Sequence, residues 1–246
     1  MRFLVFIGEY LLLLGKVFRR PEKRSIFVTQ LIDEIEKLGM DSLWIVAIIS
    51  VFMGAVAAIQ TAFSIDGPLI PLYTVGFTVR TSMVAEFSPT IISLILAGKV
   101  GSRIASEIGT MRVTEQIDAL EIMGVNSPNY LILPKIVAAL VINPILIIIS
   151  MFLGIFGGWL AAILTGIVSS HNYIWGIQID FKIYSVVYAL TKTIVFAFII
   201  TTVSGFHGYR VRGGAIEVGN ASTKAVVQSS IYIILFNLIL TQLLLA

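Results

Sequence analysis

The sequence contains no cysteine, only two histidines and few charged residues, which make up 13% of its 246 residues. Without cysteine the chain has no disulfide framework, no thiolate nucleophile and no cysteine-ligated metal. Soluble domains carry roughly 25% charged residues, so this composition argues against a water-soluble enzyme. Apolar side chains are abundant instead, at 57% with a mean hydropathy of +0.97. They fall in runs too long for a buried core, which predicts an all-α integral membrane protein.

Five apolar segments are long enough to cross a bilayer, which takes about 20 residues as a helix. They are residues 42–63, 73–98, 136–165, 183–206 and 225–246. The third lies in an uncharged stretch, 136–170, that is longer than one span requires and too short for two spans with a turn. We therefore expect one long helix there, with Asn143-Pro144 as a candidate kink.

Basic residues mark the predicted cytoplasmic side of the membrane. They concentrate before the first span, between the second and third, and between the fourth and fifth: Lys16, Arg19, Arg20, Lys23, Arg24, Lys99, Arg103, Arg112, Lys135, Arg210, Arg212 and Lys224. The other two loops, 64–72 and 171–182, contain only Lys182. The positive-inside rule then places the N-terminus in the cytoplasm and the C-terminus outside. Because the net charge of +3 arises from these loops, it does not indicate a nucleic-acid partner.

Residues 1–40 precede the first predicted span and begin with a short apolar stretch that Glu9 interrupts. No small-residue cleavage site follows, so a cleaved signal peptide is not expected. Between residues 26 and 38, apolar residues recur at helical spacing opposite acidic ones, and Gly39 is the predicted helix end. This pattern predicts an amphipathic helix at the cytoplasmic membrane surface. A short cytosolic helix packed against the rest of the chain fits the same pattern equally well.

Residues 101–124, between the second and third spans, combine charges with an apolar face at helical spacing. That face comprises Ile104, Ile108, Met111, Ile117, Leu120 and Met123. Gly124 is expected to end this element, and Ser127-Pro128 to begin the next helix. A helical pair with such a face predicts a docking surface for a cytosolic partner. A solvated loop that only returns the chain would explain the charges but not the face.

Three sequence blocks occupy this region: AGKVGS at 97–102, SEIGTMR at 106–112 and TEQIDALE at 114–121. Together with EFSP at 86–89, TKTIVFA at 191–197 and the stretch 205–230, they resemble the signature of the MlaE (YrbE) family of ABC transporter permeases. The resemblance extends from about residue 16 to the end of the chain.

This resemblance implies a homodimeric permease with cytosolic ABC ATPase subunits and a periplasmic MCE-domain protein as partners. Such a system moves phospholipids between the inner membrane of the bacterial cell and the outer membrane. The implied fold has an N-terminal interfacial helix in residues 1–40, five spans and a cytoplasmic coupling helix, assigned to 101–124. The residues expected to couple to the ATPase are Arg103, Glu107, Met111, Arg112 and Glu115.

The chain lacks the motifs for ATP hydrolysis or other catalysis. The nearest match to a Walker A loop ends in Gly98-Lys99-Val100, without the hydroxyl residue that such a loop needs, so ATP is expected to bind a partner subunit and this chain to need no cofactor. His171 and His207 fall in regions predicted on opposite sides of the membrane, which argues against a zinc site or a catalytic triad. The glycines between 205 and 219 follow no predicted strand and indicate a flexible loop rather than a phosphate loop.

Three charged residues lie within the predicted spans, and the polar Asn237 is considered with them: Arg80, Glu86, Lys192 and Asn237. A charge at a helix centre costs about 2.5 to 3.5 kcal/mol on insertion scales, so these groups should face protein, water or lipid headgroups. A helical rise of about 1.5 Å per residue puts Glu86, Lys192 and Asn237 near mid-membrane and Arg80 nearer the outer surface. One hypothesis is a lipid path in which Lys192 attracts a headgroup phosphate. The other is a Glu86–Lys192 pair that holds helices together.

The resemblance thus implies a non-catalytic membrane subunit of a phospholipid-moving ABC transporter. An ion-coupled secondary transporter, with Glu86 and Lys192 as a proton relay, is the main alternative, although no internal repeat typical of such folds is detectable. A membrane enzyme acting on lipids fits less well, because no nucleophile and base constellation is found.

Overall fold

The computed structural model describes residues 2–19, 24–65 and 70–245. Within these ranges every regular element is a helix, and five helical segments are long and apolar enough to span a bilayer. They are Arg24–Phe63, Tyr73–Val113, Ser127–Thr165, Ile183–Tyr209 and Ala215–Leu244. The predicted all-α membrane fold is therefore confirmed. Arg20 and Lys23, used in the topology prediction, lie outside the described residues.

The helices vary in length and the second span is not uniformly α-helical. In chain order they are α1 (Arg2–Val17), α2 (Arg24–Phe63), α3 (Tyr73–Ser82), a first π-helical segment (Met83–Ile91), α4 (Ile92–Leu96), a second π-helical segment (Ala97–Gly101), α5 (Ser102–Val113), α6 (Gln116–Ile122), α7 (Ser127–Thr165), α8 (Ser170–Gln178), α9 (Ile183–Tyr209) and α10 (Ala215–Leu245). The stretch from α3 to α5 is helical without interruption. Likewise, α7 is continuous through Asn143-Pro144.

The chain forms two compact units. The first comprises Met1–Asp41, Leu94–Asn143 and Val195–Ile239, and the second comprises Ser42–Ser93, Pro144–Ile194 and Leu240–Ala246. The boundaries fall inside the long helices, so α2, α7, α9 and α10 each contribute residues to both units.

The prediction that residues 205–219 form a loop is wrong, because most of them lie in helices that pack closely within the first unit. Helix α9 runs through Gly205 and Gly208 to Tyr209, and α10 already begins at Ala215. A Cβ added at Gly208 would lie 2.7 Å from the carbonyl oxygen of Ala105 in α5. The two glycines therefore serve helix packing, and of the predicted loop only 210–214 lies between the helices.

The predicted helix end at Gly39 is also wrong, because α2 continues without interruption from Arg24 to Phe63. A Cβ at position 39 would lie 2.9 Å from the side chain of Ile142 in α7. A glycine inside a helix costs only about 1 kcal/mol relative to alanine, which the continuous helix tolerates. The glycine here permits contact between helices rather than ending one.

In the second unit, α2 and α7 approach each other at their backbones. A Cβ at Gly54 would lie 1.7 Å from the carbonyl oxygen of Gly154, and one at Gly157 would lie 2.2 Å from that of Val51. Tyr173 of α8 is fully buried and donates a hydrogen bond of 3.1 Å to the carbonyl oxygen of Ile155. Burial raises the pKa of this tyrosine, so its hydroxyl remains a neutral donor.

Candidate functional site

A polar cluster around Glu86 and Lys192 lies in the second unit, within two predicted spans. The Lys192 ammonium donates to Glu86 Oε1 at 2.7 Å, and the Tyr188 hydroxyl donates to the same oxygen at 3.1 Å. Thr90 donates to Glu86 Oε2 at 3.2 Å. The Tyr188 hydroxyl also lies 3.0 Å from that of Thr241 in α10. The carboxylate therefore accepts from one cation and two neutral hydroxyls.

The two charges of this pair differ sharply in exposure. The side chain of Lys192 is fully buried, whereas that of Glu86 is 39% exposed. The ammonium also lies 4.4 Å from the centre of the Tyr188 ring, a distance at which an aromatic face stabilises a cation. In this conformation a lipid phosphate cannot reach Lys192 unless the surrounding side chains move. The exposed part of the pair belongs to the Glu86 side chain.

Glu86 is carried by the first π-helical segment, Met83–Ile91, which also contains Pro89. Proline has no N–H to donate, and its ring clashes with the carbonyl four residues earlier in a regular α-helix. The wider π turn relieves that clash, because its hydrogen bonds skip one more residue. Such π segments are rare and often occur at functional sites. Glu86 is thus positioned by a π-helical backbone, a conformation that Pro89 favours over the regular α-helix at this point.

Three buried serines form a hydroxyl chain in the second unit. Ser150 of α7 donates to Ser88 at 3.0 Å, and the Ser50 hydroxyl lies 2.8 Å from that of Ser150. Ser50 in turn lies 2.6 Å from the carbonyl oxygen of Val46 in the same helix. Each hydroxyl therefore has a partner, and the chain ties α2 and α7 to the π segment that carries Glu86.

The guanidinium of Arg80 is held by hydrogen bonds to backbone carbonyl oxygens. It is almost fully buried and donates at 2.8 Å to the carbonyl oxygens of Ile177 and Ile179. Those carbonyls belong to the C-terminal end of α8, where the helix dipole favours a cation. Asp180 follows with a positive φ of 49°, so Arg80 closes the loop where the chain turns. Its partners point to a structural contribution at this helix end.

Asn237, the fourth predicted intramembrane residue, lies half-buried on α10 and belongs to the first unit. The structure brings Glu86 and Lys192 together, while Arg80 has the separate partners described above. Within residues 2–19, 24–65 and 70–245, no group of three His, Asp or Glu side chains could hold a metal ion.

The cytoplasmic segment predicted to dock a partner uses several of its charges within its own unit. Lys135 of α7 is nearly buried and donates to Glu107 at 2.8 Å and to Glu34 of α2 at 2.6 Å. Arg103 pairs with Asp41. A buried ammonium between two carboxylates fixes α5 against α2 and α7, because an unpaired charge there would be costly.

The end of this segment is held by a second network. Arg112 pairs with Asp118 at 2.6 Å, and Glu121 accepts hydrogen bonds from Tyr209 at 2.7 Å and from Ser127 at 2.9 Å. These hydrogen bonds lower the pKa of the Glu121 carboxyl, because they favour its ionised form. The sequence predicted Ser127 as the N-cap of the next helix; α7 instead includes Ser127 as its first residue, and the serine hydroxyl donates to Glu121.

Most of the predicted apolar face packs inside the chain. Ile104, Ile108 and Ile117 are buried, whereas Ile122 and Met123 are 88% and 68% exposed. The exposed apolar surface is thus a short tip at the end of α6, which we call the α6 tip and define as Ile122 and Met123. Of the five predicted coupling residues, three are in ion pairs: Arg103, Glu107 and Arg112. Met111 is half-buried, and Glu115 is exposed with a positive φ of 59°.

Sequence reasoning missed Tyr188, the serine chain and the α6 tip. Tyr188 had a usable signal, since it precedes Lys192 by four residues and so shares its helix face. The serines had none, because hydroxyls within apolar runs commonly bond to their own helix backbone. Met123 was assigned to the apolar face, and only packing reveals that it stays exposed.

Comparison with known proteins identifies the family of this chain. A family model described as Permease MlaE matches residues 31–243. A probable ABC transporter permease protein of Rickettsia bellii is 38% identical over 92% of this chain and 86% of its own length. The intermembrane phospholipid transport system permease protein MlaE of Haemophilus influenzae is 29% identical over 94% of this chain and 88% of its own. The chloroplastic protein TRIGALACTOSYLDIACYLGLYCEROL 1 of Arabidopsis thaliana is 29% identical over 93% of this chain and 65% of its own.

These matches confirm the resemblance found in the sequence blocks, and they extend across the described helices from α2 to α10. The Rickettsia bellii and Haemophilus influenzae relatives are named permeases, which are the membrane subunits of ABC transporters and not their ATPases. The chain belongs to the MlaE permease family of ABC transporters, as a non-catalytic membrane-spanning subunit.

Proposed function

We propose that this chain moves phospholipids between the inner membrane of the bacterial cell and the outer membrane, as the permease of an ABC transporter. The observation that carries the proposal is the likeness to the Haemophilus influenzae permease, whose name states intermembrane phospholipid transport, over 94% of this chain. The partners are cytosolic ABC ATPase subunits and a periplasmic MCE-domain protein. The N-terminus faces the cytoplasm and the C-terminus faces outward, as the distribution of Lys and Arg indicates.

The Glu86–Lys192 cluster supports a polar position along a lipid path. Charged residues within a span are costly and mark structural or functional positions, and in this pair the Glu86 side chain stays partly exposed. Lys192 neutralises Glu86 and fixes its position, while Glu86 accepts from the cationic amine of a lipid headgroup, because its negative charge would repel the phosphate. The two sequence hypotheses are thereby combined, with Lys192 as a positioning residue for Glu86.

A homodimer is supported by the surface of α10. Its outward face within the span is apolar along its length and little covered by the rest of the chain: Val227, Ile231, Ile234, Leu238 and Leu243 are exposed. Lipid could cover such a face, and so could a helix of a second copy, which the exposed Gly219 allows to approach closely at the start of α10.

The α6 tip supports a docking site for the ATPase subunit. Two neighbouring exposed apolar residues on a charged cytoplasmic segment are poorly suited to water and well suited to a protein pocket. The ion pairs of Lys135 and Arg112 hold the helices beneath the tip, so force applied there would be transmitted to α5 and α7.

Reconstitution tests the transport proposal directly. The chain would be purified with the proposed ATPase partner and placed in vesicles containing a fluorescent phospholipid, and lipid transfer to acceptor vesicles carrying the MCE-domain protein would be recorded. Transfer that requires ATP supports the proposal. Transfer driven by a proton gradient without ATP would instead support the secondary transporter.

The docking site has its own test. Changing Ile122→Asp and Met123→Asp together should release the ATPase, because a charge cannot enter an apolar pocket unpaired. Ile216→Asp is the matched control, since Ile216 is 80% exposed on the same predicted side. Retention of the ATPase by the double variant, measured by copurification, would contradict docking at the α6 tip.

A further inference from the structure

Two adjoining cavities lie in the first unit, along α1, α9 and α10. One, the tail cavity, has a volume of about 540 Å³ and a largely apolar wall that includes Tyr10, Val195, Phe198 and Phe236. The other, the basic pocket, has a volume of about 510 Å³ and is lined by Arg210, Arg212 and Lys224, with Glu217 as its one acid. Phe206 lines both cavities, so an apolar space and a cationic space meet at one side chain.

The cations of the basic pocket differ in whether they form an ion pair. Arg210 pairs with Glu9 of α1. Arg212 and Lys224 are exposed, and neither has a carboxylate within ion-pair distance among residues 2–19, 24–65 and 70–245. Two cations facing one open pocket favour an anionic ligand, since each basic residue near a membrane surface attracts anionic lipid by about 1 kcal/mol.

The two cavities also lie in the right order along the membrane-spanning helices. Lys224 precedes Phe236 by twelve residues, which is a rise of about 18 Å along α10 at about 1.5 Å per residue. One leaflet contributes about 15 Å of a hydrocarbon core of about 30 Å. The basic pocket therefore falls at headgroup level and the tail cavity at acyl-chain level of the same leaflet.

Polar side chains occupy the transition between these levels. His207 Nε2 lies 2.5 Å from Gln228 Oε1, and the Gln228 amide donates to the Tyr232 hydroxyl at 2.7 Å. On the opposite wall, the Tyr10 hydroxyl donates to Thr202 at 2.7 Å. The order from cations through amide and hydroxyls to aromatic rings matches the order of phosphate, glycerol ester and acyl chain in a phospholipid.

We infer that this combined site, separate from the Glu86–Lys192 cluster, binds a phospholipid with an anionic headgroup from the cytoplasmic leaflet. Its phosphate contacts Arg212 and Lys224, and an acyl chain fills the tail cavity between α1 and α9. A soluble phosphate could satisfy the same cations but would leave the tail cavity empty. If a second copy of the chain covered this surface instead, it would have to place an acidic group in the basic pocket.

Native mass spectrometry of the detergent-solubilised chain tests the inference, with phosphatidylglycerol titrated as the ligand and phosphatidylcholine and inorganic phosphate in parallel. Changing Arg212→Gln and Lys224→Gln together should weaken phosphatidylglycerol binding by about thirtyfold, from about 1 kcal/mol per cation. Arg24→Gln with Lys37→Gln is the matched control, because it removes two exposed cations of α2 and should leave binding unchanged.

A second pair of variants separates a lipid from a soluble anion. Val195→Phe fills the tail cavity and should weaken phosphatidylglycerol binding by roughly fifteenfold, by excluding about two methylenes at about 0.8 kcal/mol each. Val187→Phe, on an exposed face of the same helix, should have no effect. If Val195→Phe fails to fold, Ile7→Trp fills the cavity from α1, where the side chain is 38% exposed.

The outcomes are distinct. Weaker phosphatidylglycerol binding in both Arg212→Gln with Lys224→Gln and Val195→Phe, with both controls unchanged, supports the lipid site. Weaker binding in Arg212→Gln with Lys224→Gln alone, together with competition by inorganic phosphate, would show a site for a soluble anion and overturn the inference. Equal loss in Arg24→Gln with Lys37→Gln would mean unspecific surface attraction, and a change in dimer content instead of lipid binding would assign the surface to a second copy.

Discussion

The Glu86–Lys192 pair predicts an unequal response to removal of its two charges. Glu86→Leu leaves the ammonium of Lys192 fully buried with no carboxylate. Breaking a buried pair from one side costs about 3 to 5 kcal/mol, and the Tyr188 ring offsets only a part of this. We therefore expect Glu86→Leu to lower the free energy of unfolding by about 3 kcal/mol or more.

Lys192→Met should be milder, although it removes the other half of the same pair. The side chain of Glu86 is 39% exposed, and its carboxylate keeps the hydrogen bonds from Tyr188 and Thr90. A hydrogen bond to a charged group contributes about 1.5 to 3 kcal/mol, so two such bonds offset much of the loss. Methionine also fills most of the volume of the lysine stem. The expected loss is about 1 to 2 kcal/mol.

The double variant completes the cycle. With both charges replaced by apolar side chains of similar volume, no buried charge is left unpaired, and stability should recover above that of Glu86→Leu. Unfolding would be followed by circular dichroism during titration with sodium dodecyl sulfate in mixed micelles, alongside membrane abundance and lipid transfer. Recovered stability without lipid transfer would assign a transport role to the pair.

The reasoning is refuted if Lys192→Met proves as damaging as Glu86→Leu, or if the double variant shows the sum of the two losses. Either outcome would mean that the difference in burial does not govern the energetics of the pair. An additive double variant would also mean that the two charges do not interact in the membrane.

Three further predictions concern topology, acid stability and packing. In this cysteine-free chain, an impermeant thiol reagent should label His171→Cys but not Ile122→Cys in intact cells. Labelling of Ile122→Cys but not His171→Cys would overturn the predicted membrane orientation. Ser127 is buried and therefore unsuited to this test. Hydrogen bonding lowers the pKa of Glu121, so its contribution to stability is present above the ordinary glutamate pKa and is lost as pH falls through the lowered value. Tyr209→Phe should therefore lower the free energy of unfolding at pH 7 by less than about 1 kcal/mol, seen as a lower melting temperature than that of wild type, and this difference should disappear in acid. Gly54→Ala should destabilise by about 1 to 3 kcal/mol, since its Cβ would lie 1.7 Å from a backbone oxygen, whereas Gly98→Ala has open space and should be neutral or stabilising in the same melting assay.

The sequence predicted the fold class because apolar run length is read directly from the chain, and each long run became a helix. It also predicted that Glu86 and Lys192 share a depth, since helical rise converts residue number into distance. It failed at Gly39 and Gly208, where glycine leaves space for a distant helix rather than ending its own: the side chain of Ile142 approaches Gly39, and the backbone of Ala105 approaches Gly208. That distinction depends on packing partners, which a single sequence does not reveal.

The coupling segment illustrates a related point. Its apolar face at helical spacing predicts a docking surface, and this stays a prediction, whereas Ile104, Ile108 and Ile117 of that face pack within the chain. Periodicity identifies a face that must be covered and does not identify what covers it. Similarly, the basic character of Arg80 gave no hint that backbone carbonyls of α8 would be its partners.

The closeness of Glu86 and Lys192 has a consequence for how the protein responds to membrane voltage. Moving one elementary charge through the full membrane potential involves about 2.3 kcal/mol per 100 mV. A carboxylate and an ammonium 2.7 Å apart that move together carry no net charge through that field. Rearrangements that keep them joined are therefore electrically silent, and only a step that separates them along the membrane normal would make lipid transfer depend on the potential of the cell.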